Sequence, residues 1–177
     1  MILAEGDISL RTPVTQDFQL ILDWENNPLN WKVSGTRRPF TEEEIKQFIE
    51  NCTLPVLEMG QQRFIIEVDN RGIGTLDFFE FDEANKRVGV GVLIALAGDR
   101  RKGIAYKALQ MGLQYAFEDL KVHQVFCNIL SDNMPSLKLF RKLGFKEVGT
   151  KRDWVLFDGL YHDEISMQLL YSDWDEN

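Results

Sequence analysis

The chain has 177 residues, 44% hydrophobic and 11% aromatic, enough apolar material for one sizeable core and close to the usual size of one domain, here 1–177. A formal net charge of -8 argues against nucleic acid as a partner, and the longest nearly unbroken apolar run, Val88 to Gly98, is shorter than the ~20 residues of a membrane helix. Glu5 and Asp7 interrupt the N-terminus where a secretory signal would be apolar, and Cys52 and Cys127 form no Cys-x-x-Cys pair. A soluble cytoplasmic protein with no membrane attachment, disulfide framework or metal is expected.

Ile8 to Arg11 alternates as a short strand, and Thr15 with Asp17 opens a helix carrying Phe18, Ile21, Leu22 and Trp24, which Asn26, Asn27 and Pro28 end. The following LNWKVSGTRRPF reads as a polar loop with aromatic insertions. Thr41 caps a second helix, whose glutamates Glu42, Glu43 and Glu44 favour its positive end and whose stripe is Ile45, Phe48 and Ile49. Arg63 to Val68, Ile73 to Phe81 and Val88 to Ile94 are rich in β-branched and aromatic residues and are separated by the turn sequences DNRG and DEANK, which predicts an antiparallel meander. Ile104 to Leu120 has helical spacing and Val122 to Leu130 returns to strand composition, giving a strand, helix, strand crossover.

Asn133 caps a helix with Pro135 in its first turn, Leu137, Phe140 and Leu143 on one face, and Gly144 at its end. Trp154 to Phe157 and Tyr161 to Leu169 form a hairpin around Asp158-Gly159. The reading is α+β: a mixed, mostly antiparallel sheet of about seven strands flanked by about four helices.

One stretch stands against the acidic background. DRRKGIAYKAL, residues 99–109, places Arg100, Arg101 and Lys102 before Gly103 and the start of a helix. A glycine turn leading into a helix leaves amide N–H groups unpaired, the helix dipole adds positive potential, and screening over ~8 Å keeps distant carboxylates from cancelling it. An anion, above all a phosphate, suits the turn. A Walker A loop is excluded because Lys102 precedes Gly103, and the dinucleotide fingerprint is excluded because GVGVLI puts Ile94 at the third glycine. Gly89 and Gly91 strip side chains from one face of their strand, consistent with a ligand's close approach or with a bulge.

Arg100-x-x-Gly103-x-Ala105 resembles the pyrophosphate loop of the GNAT acetyltransferase superfamily, and Asn133-x-x-Ser136 followed by Gly144-Phe145 resembles that superfamily's second motif. The likeness runs from about Ile8 to Leu170, includes the DGLYHDE hairpin, and is greatest to the branch of ribosomal-protein alanine and spermidine N-acetyltransferases. It implies an acetyl-CoA-dependent transfer to a primary amine, either a protein N-terminus or a polyamine, with no metal. It also implies a V-shaped split between the strands Val88 to Ile94 and Val122 to Leu130. Arg100, Arg101, Lys102, Gly103, Ile104 and Ala105 would then hold the diphosphate, Leu93 and Ile94 the pantetheine arm, and Asn133, Ser136 and Phe140 the opposite wall. Dimerisation is common in such proteins, so a homodimer is an open expectation.

Transfer to an amine of pKa ~10.4 requires a proton acceptor, while a thiolate of pKa ~8.5 leaves without a strong acid. Relatives often carry Tyr where this chain has Phe140, and many carry Glu where it has Gly89. Asp77, Glu80 and Ser136 are therefore the catalytic candidates, with Asp77 and Glu80 on opposite faces of their strand so that only one reaches the cleft. The two departures also leave open a coenzyme-binding module without catalysis.

Overall fold

Alternating apolar and polar residues distribute this chain over the two faces of one sheet. The computed structural model describes residues 2–54 and 56–175; Met1, Pro55, Glu176 and Asn177, included in the expected 1–177 domain, lie outside them. The first half contains β1 (Ile2–Glu5), β2 (Ile8–Arg11), α1 (Phe18–Glu25), α2 (Pro28–Ser34), α3 (Glu42–Asn51), α4 (Val56–Met59), β3 (Gln62–Val68) and β4 (Arg71–Asp82). The second contains β5 (Arg87–Ile94), α5 (Ile104–Gln114), β6 (Gln124–Leu130), α6 (Met134–Lys142), β7 (Lys146–Phe157), β8 (Leu160–Leu170) and α7 (Tyr171–Asp175). No helix among the described residues is long and apolar enough to cross a membrane.

The sheet has eight strands in the order β1-β2-β3-β4-β5-β6-β8-β7, antiparallel throughout except where β5 meets β6. The α+β reading holds, with one strand more than expected. β1 is only four residues long, and β7 begins at Lys146, well before Trp154. The stretch read as a loop after Pro28 is largely helical. Asn27 and Pro28 end one helix and start the next, because the Asn27 carboxamide accepts the Leu29 N–H and Pro28 fills the first helical position. Asp158 and Gly159 both have positive φ, as a tight two-residue hairpin requires.

Leu76 and Phe78 of β4 and Val88, Val90 and Ile94 of β5 pack beneath Ala108, Leu109 and Leu113 of α5 in the main core. On the opposite face, Ile65 and Ala95 lie under Ile21, Trp24, Ile45 and Ile49 of α1 and α3. The cleft opens on both sides: Glu25, Phe48 and Asn51 of α1 and α3 line one part of it, and Ser136 and Phe140 of α6 line the other.

β5 and β6 pair only from Arg87↔Gln124 to Gly89↔Phe126. Beyond that point β5 continues on β4 and β6 continues on β8, so the two strands part into the expected V. An aromatic clamp marks its closed end. The Phe79 ring lies on Gly89, where a Cβ would come within 2.3 Å of it, and meets Phe126 edge-on with centroids 5.8 Å apart. Gly89 thus makes room for a ring and not for a ligand. Only at Gly91, where a Cβ would sit 3.8 Å from Phe79, is the strand's face bare.

Gly89→Ala is expected to destabilise the protein by about 1–3 kcal/mol, the usual range for overpacking. Denaturant unfolding of Gly89→Ala, Phe79→Ala and the double variant should show a strongly non-additive cycle, since the three atoms nearest the added methyl all belong to the ring.

Candidate active site

The Ala95 N–H donates to the Ile73 carbonyl at 3.0 Å, so odd residues of β5 turn their backbone groups toward β4 and even residues turn theirs toward the V. Leu93, paired with Thr75, therefore has its backbone committed to β4. The carbonyl of Ile94 is taken by the Arg100 Nε at 2.9 Å. Of the expected pair, Ile94 alone turns its backbone to the open side, with its carbonyl held by Arg100, and Val90 and Val92 turn theirs the same way.

At the mouth of α5, Arg101 (φ 64) and Gly103 (φ 80) are both left-handed, and no side chain caps the helix. The Tyr106 and Lys107 N–H groups return to the Gly103 carbonyl, leaving the amides of Gly103, Ile104 and Ala105 outside that turn's pairing. Nothing lies within 4 Å of where a Gly103 Cβ would be. An open set of amides at the positive end of an eleven-residue helix suits a diphosphate.

The three adjacent cations do different jobs. Arg100, expected to reinforce the anion, instead folds inward: its guanidinium binds the Ile94 and Ala95 carbonyls and the Oδ1 of buried Asn30 at 3.2 Å, tying β5 to α2. Lys102 is drawn to Asp99 at 3.3 Å, and Asp99 also forms a two-pronged pair with Arg71 (2.8 and 3.0 Å). The Arg71 hydrogen bonds, helped by Lys102 and opposed by burial, hold the Asp99 carboxyl at about 2. Arg101 is exposed at the turn.

Two cavities meet in the V. One, about 380 Å³, is lined by Glu25, Phe48, Asn51, Arg63, Thr75 and Asp77 among others. The second, about 260 Å³, is lined by Ile129, Asn133, Ser136, Phe140, Val155 and Glu164 among others. Val90, Gly91, Val92 and Asn128 border both, with Val33 and Ser34 of α2 beside them. From α2, the Lys32 ammonium reaches Asp132, in the loop after β6, at 2.6 Å.

In the first cavity Arg63 is bracketed by two carboxylates, donating through Nε to Asp77 and through Nη1 to Glu25, while the Thr75 hydroxyl donates to Asp77 at 3.0 Å. Burial works against the Arg63 charge, but the two carboxylates outweigh it and raise its pKa above arginine's ordinary value. Two acids against one base leave a net negative charge on the cavity floor. Glu80 does not join them. It sits exposed at a bulge in β4 with φ 50 and faces a separate groove beside Asp82 and Glu83.

In the second cavity Asn133 accepts the Ser136 N–H at 3.3 Å, capping α6. Phe140 is buried edge-on against Phe145 and offers no hydroxyl. Burial pushes the Cys52 thiol up to about 11 and raises Cys127 as well, so neither supplies a thiolate near neutrality. Among the described residues no cluster of His, Cys, Asp and Glu is arranged to hold a metal ion. Glu25, Arg63 and Asn128 were not singled out in the sequence. A cation inside the strand QRFIIEV was the available signal for Arg63, because an arginine there needs buried partners.

Residues 7–146 match the family model described as Acetyltransferase (GNAT) domain. The chain belongs to this family. It is 23% identical over 163 residues to spermidine N(1)-acetyltransferase of Escherichia coli K12, covering 90% of this chain and 84% of the relative. It is 30% identical over 73 residues to the [ribosomal protein uS5]-alanine N-acetyltransferase of the same organism, covering 41% of this chain and 38% of the relative. The spermidine N-acetyltransferase of Vibrio cholerae, solved with CoA and spermine, superposes with a TM-score of 0.86 at 20% identity, covering 96% of this chain and 99% of that one. The GNAT protein is an acyltransferase that carries acetyl from acetyl-CoA to an amine.

Arg100→Ala is expected to lower stability by about 1–3 kcal/mol, because Asn30 and the Ile94 carbonyl lose a buried partner. Arg101→Ala should leave the melting temperature unchanged and weaken acetyl-CoA binding in calorimetry, with the difference shrinking as salt is added. The Asp99 carboxyl is depressed from 3.8 to about 2 in the folded chain, so its stabilisation is complete above 3.8 and is lost as pH falls through the lower value. Melting temperature against pH should therefore show a shallower acid limb in Asp99→Asn than in the parent.

Proposed function

We propose that the whole chain, 1–177, acetylates a cationic alkylamine of the polyamine type, held at Glu25 and Asp77. The observation that carries this reading is the Glu25–Arg63–Asp77 bracket on the floor of the first cavity, whose excess negative charge attracts an ammonium group. The relative named for spermidine supports it over most of its length.

In this reading the amides of Gly103, Ile104 and Ala105, with Arg101 and Lys102 alongside, hold the coenzyme diphosphate. Val90 and Val92 align its arm, and Asn133, Ser136 and Phe140 form the facing wall. Acetyl-CoA supplies an activated thioester whose sulfur leaves readily. Asp77 lies opposite Gly91 in the β4–β5 ladder, on the face that opens to the junction of the cavities. It orients the amine and takes up its proton through water, a role Glu80 is too remote to share. With a leaving thiol of pKa ~8.5, Phe140 need not donate a proton.

A second reading, a protein N-terminus as acceptor, is favoured by the β7–β8 hairpin. Val155 reaches the second cavity, while Trp154, Leu160 and Tyr161 are exposed nearby in sequence and could receive a polypeptide.

Free-thiol release with spermidine and with an alanine-starting peptide separates the two. Spermidine should be the better substrate; Glu25→Gln should raise its KM by about 10-fold, the loss of one charge-assisted contact, and Asp77→Asn should lower kcat as well, both with acetyl-CoA affinity unchanged. Turnover of the peptide alone would reject the polyamine reading.

A further inference from the structure

Asn128 stands where the functional regions meet. It lies on β6 across the V from Gly91, and it borders both cavities as well as the groove beyond them. Its carboxamide is oriented by two neighbours: Oδ1 faces the Ser166 hydroxyl at 2.8 Å and the Lys151 ammonium at 3.4 Å. An ammonium only donates, so the oxygen must be the atom that faces it, and the NH₂ is turned the other way. Ser166 lies on β8, on the side of β6 away from the V. Nδ2 is therefore left toward the cleft, opposite a wall that Gly91 has stripped of side chain.

Phe140 lacks a hydroxyl, and Ser136 sits at the first turn of α6 with its N–H tied to Asn133. We infer that Asn128 is a catalytic hydrogen-bond donor whose Nδ2–H group binds the thioester carbonyl oxygen as transfer proceeds. When the amine nitrogen bonds to the carbonyl carbon, the C=O electron pair moves onto oxygen, where a neutral, pre-aimed donor stabilises it. When that pair returns, the C–S bond breaks, sulfur leaves with its electrons, and the surplus amine proton passes to water. A carboxamide suits this task because it donates without itself titrating. The assignment rests on acetyl transfer within this cleft and is independent of which amine is acetylated.

The decisive measurement needs no acceptor. Infrared difference spectra of the enzyme bound to acetyl-CoA labelled with ¹³C at the carbonyl report hydrogen bonding to that oxygen directly. The carbonyl band should lie at lower wavenumber in the parent than in Asn128→Ala or Asn128→Asp, with calorimetric acetyl-CoA affinity little altered in Asn128→Ala. With the best amine from the acceptor panel, kcat for Asn128→Ala should fall on the order of 10²-fold, the usual cost of one such donor. An unmoved band in a saturated complex, or an undiminished kcat, overturns the assignment. Failure of the parent enzyme to bind acetyl-CoA would overturn the coenzyme reading along with it.

Discussion

The cleft depends on how a strand ladder is stopped. Backbone amides in a sheet interior are satisfied by the next strand, and parting two central strands exposes a row of them at real cost. Here the parting begins immediately after Gly89↔Phe126, where the Phe79 ring, Gly89 and Phe126 are packed together. At the far end Arg100 covers the Ile94 carbonyl that β6 no longer reaches, and binds the Ala95 carbonyl beside it. Between these fixed points a short length of β5 is left with backbone facing the open V. A flexible gap could not keep a reactive carbonyl aligned; this one is braced at both ends.

Charge follows the same division of labour. The chain is acidic overall, and its local positive site rests chiefly on amide direction, which distant carboxylates do not cancel. Asp99, although acidic, serves that site by holding Arg71 and Lys102 in place. On the other side of the V, Arg63 serves an acidic cavity by fixing Glu25 and Asp77. In both places the counter-charge organises the more numerous partner.

Much of this was legible in the sequence because it depends on local conformation. Gly103, the Asn133 cap and the Asp158-Gly159 turn each need a particular backbone geometry that few residues adopt, so their identities point to their roles. The parts that escaped are those set by tertiary partners. Asn-Asn-Pro stops one helix and starts another equally well, and which happens at Pro28 depends on burial of Asn30 beneath Arg100. Arg100 itself looked like a phosphate ligand because its neighbours do, whereas its carbonyl partners are distant in function though close in chain. Asn128, an ordinary polar residue in a strand, carries no local signature. Its position is visible only once β6 has turned away from β5.

The contact between Lys32 and Asp132 has a consequence for traffic. It links α2, which borders both cavities, to the loop after β6, so an ion pair spans the gap there. A molecule that enters or leaves the V at that point must pass to one side of the pair or separate it.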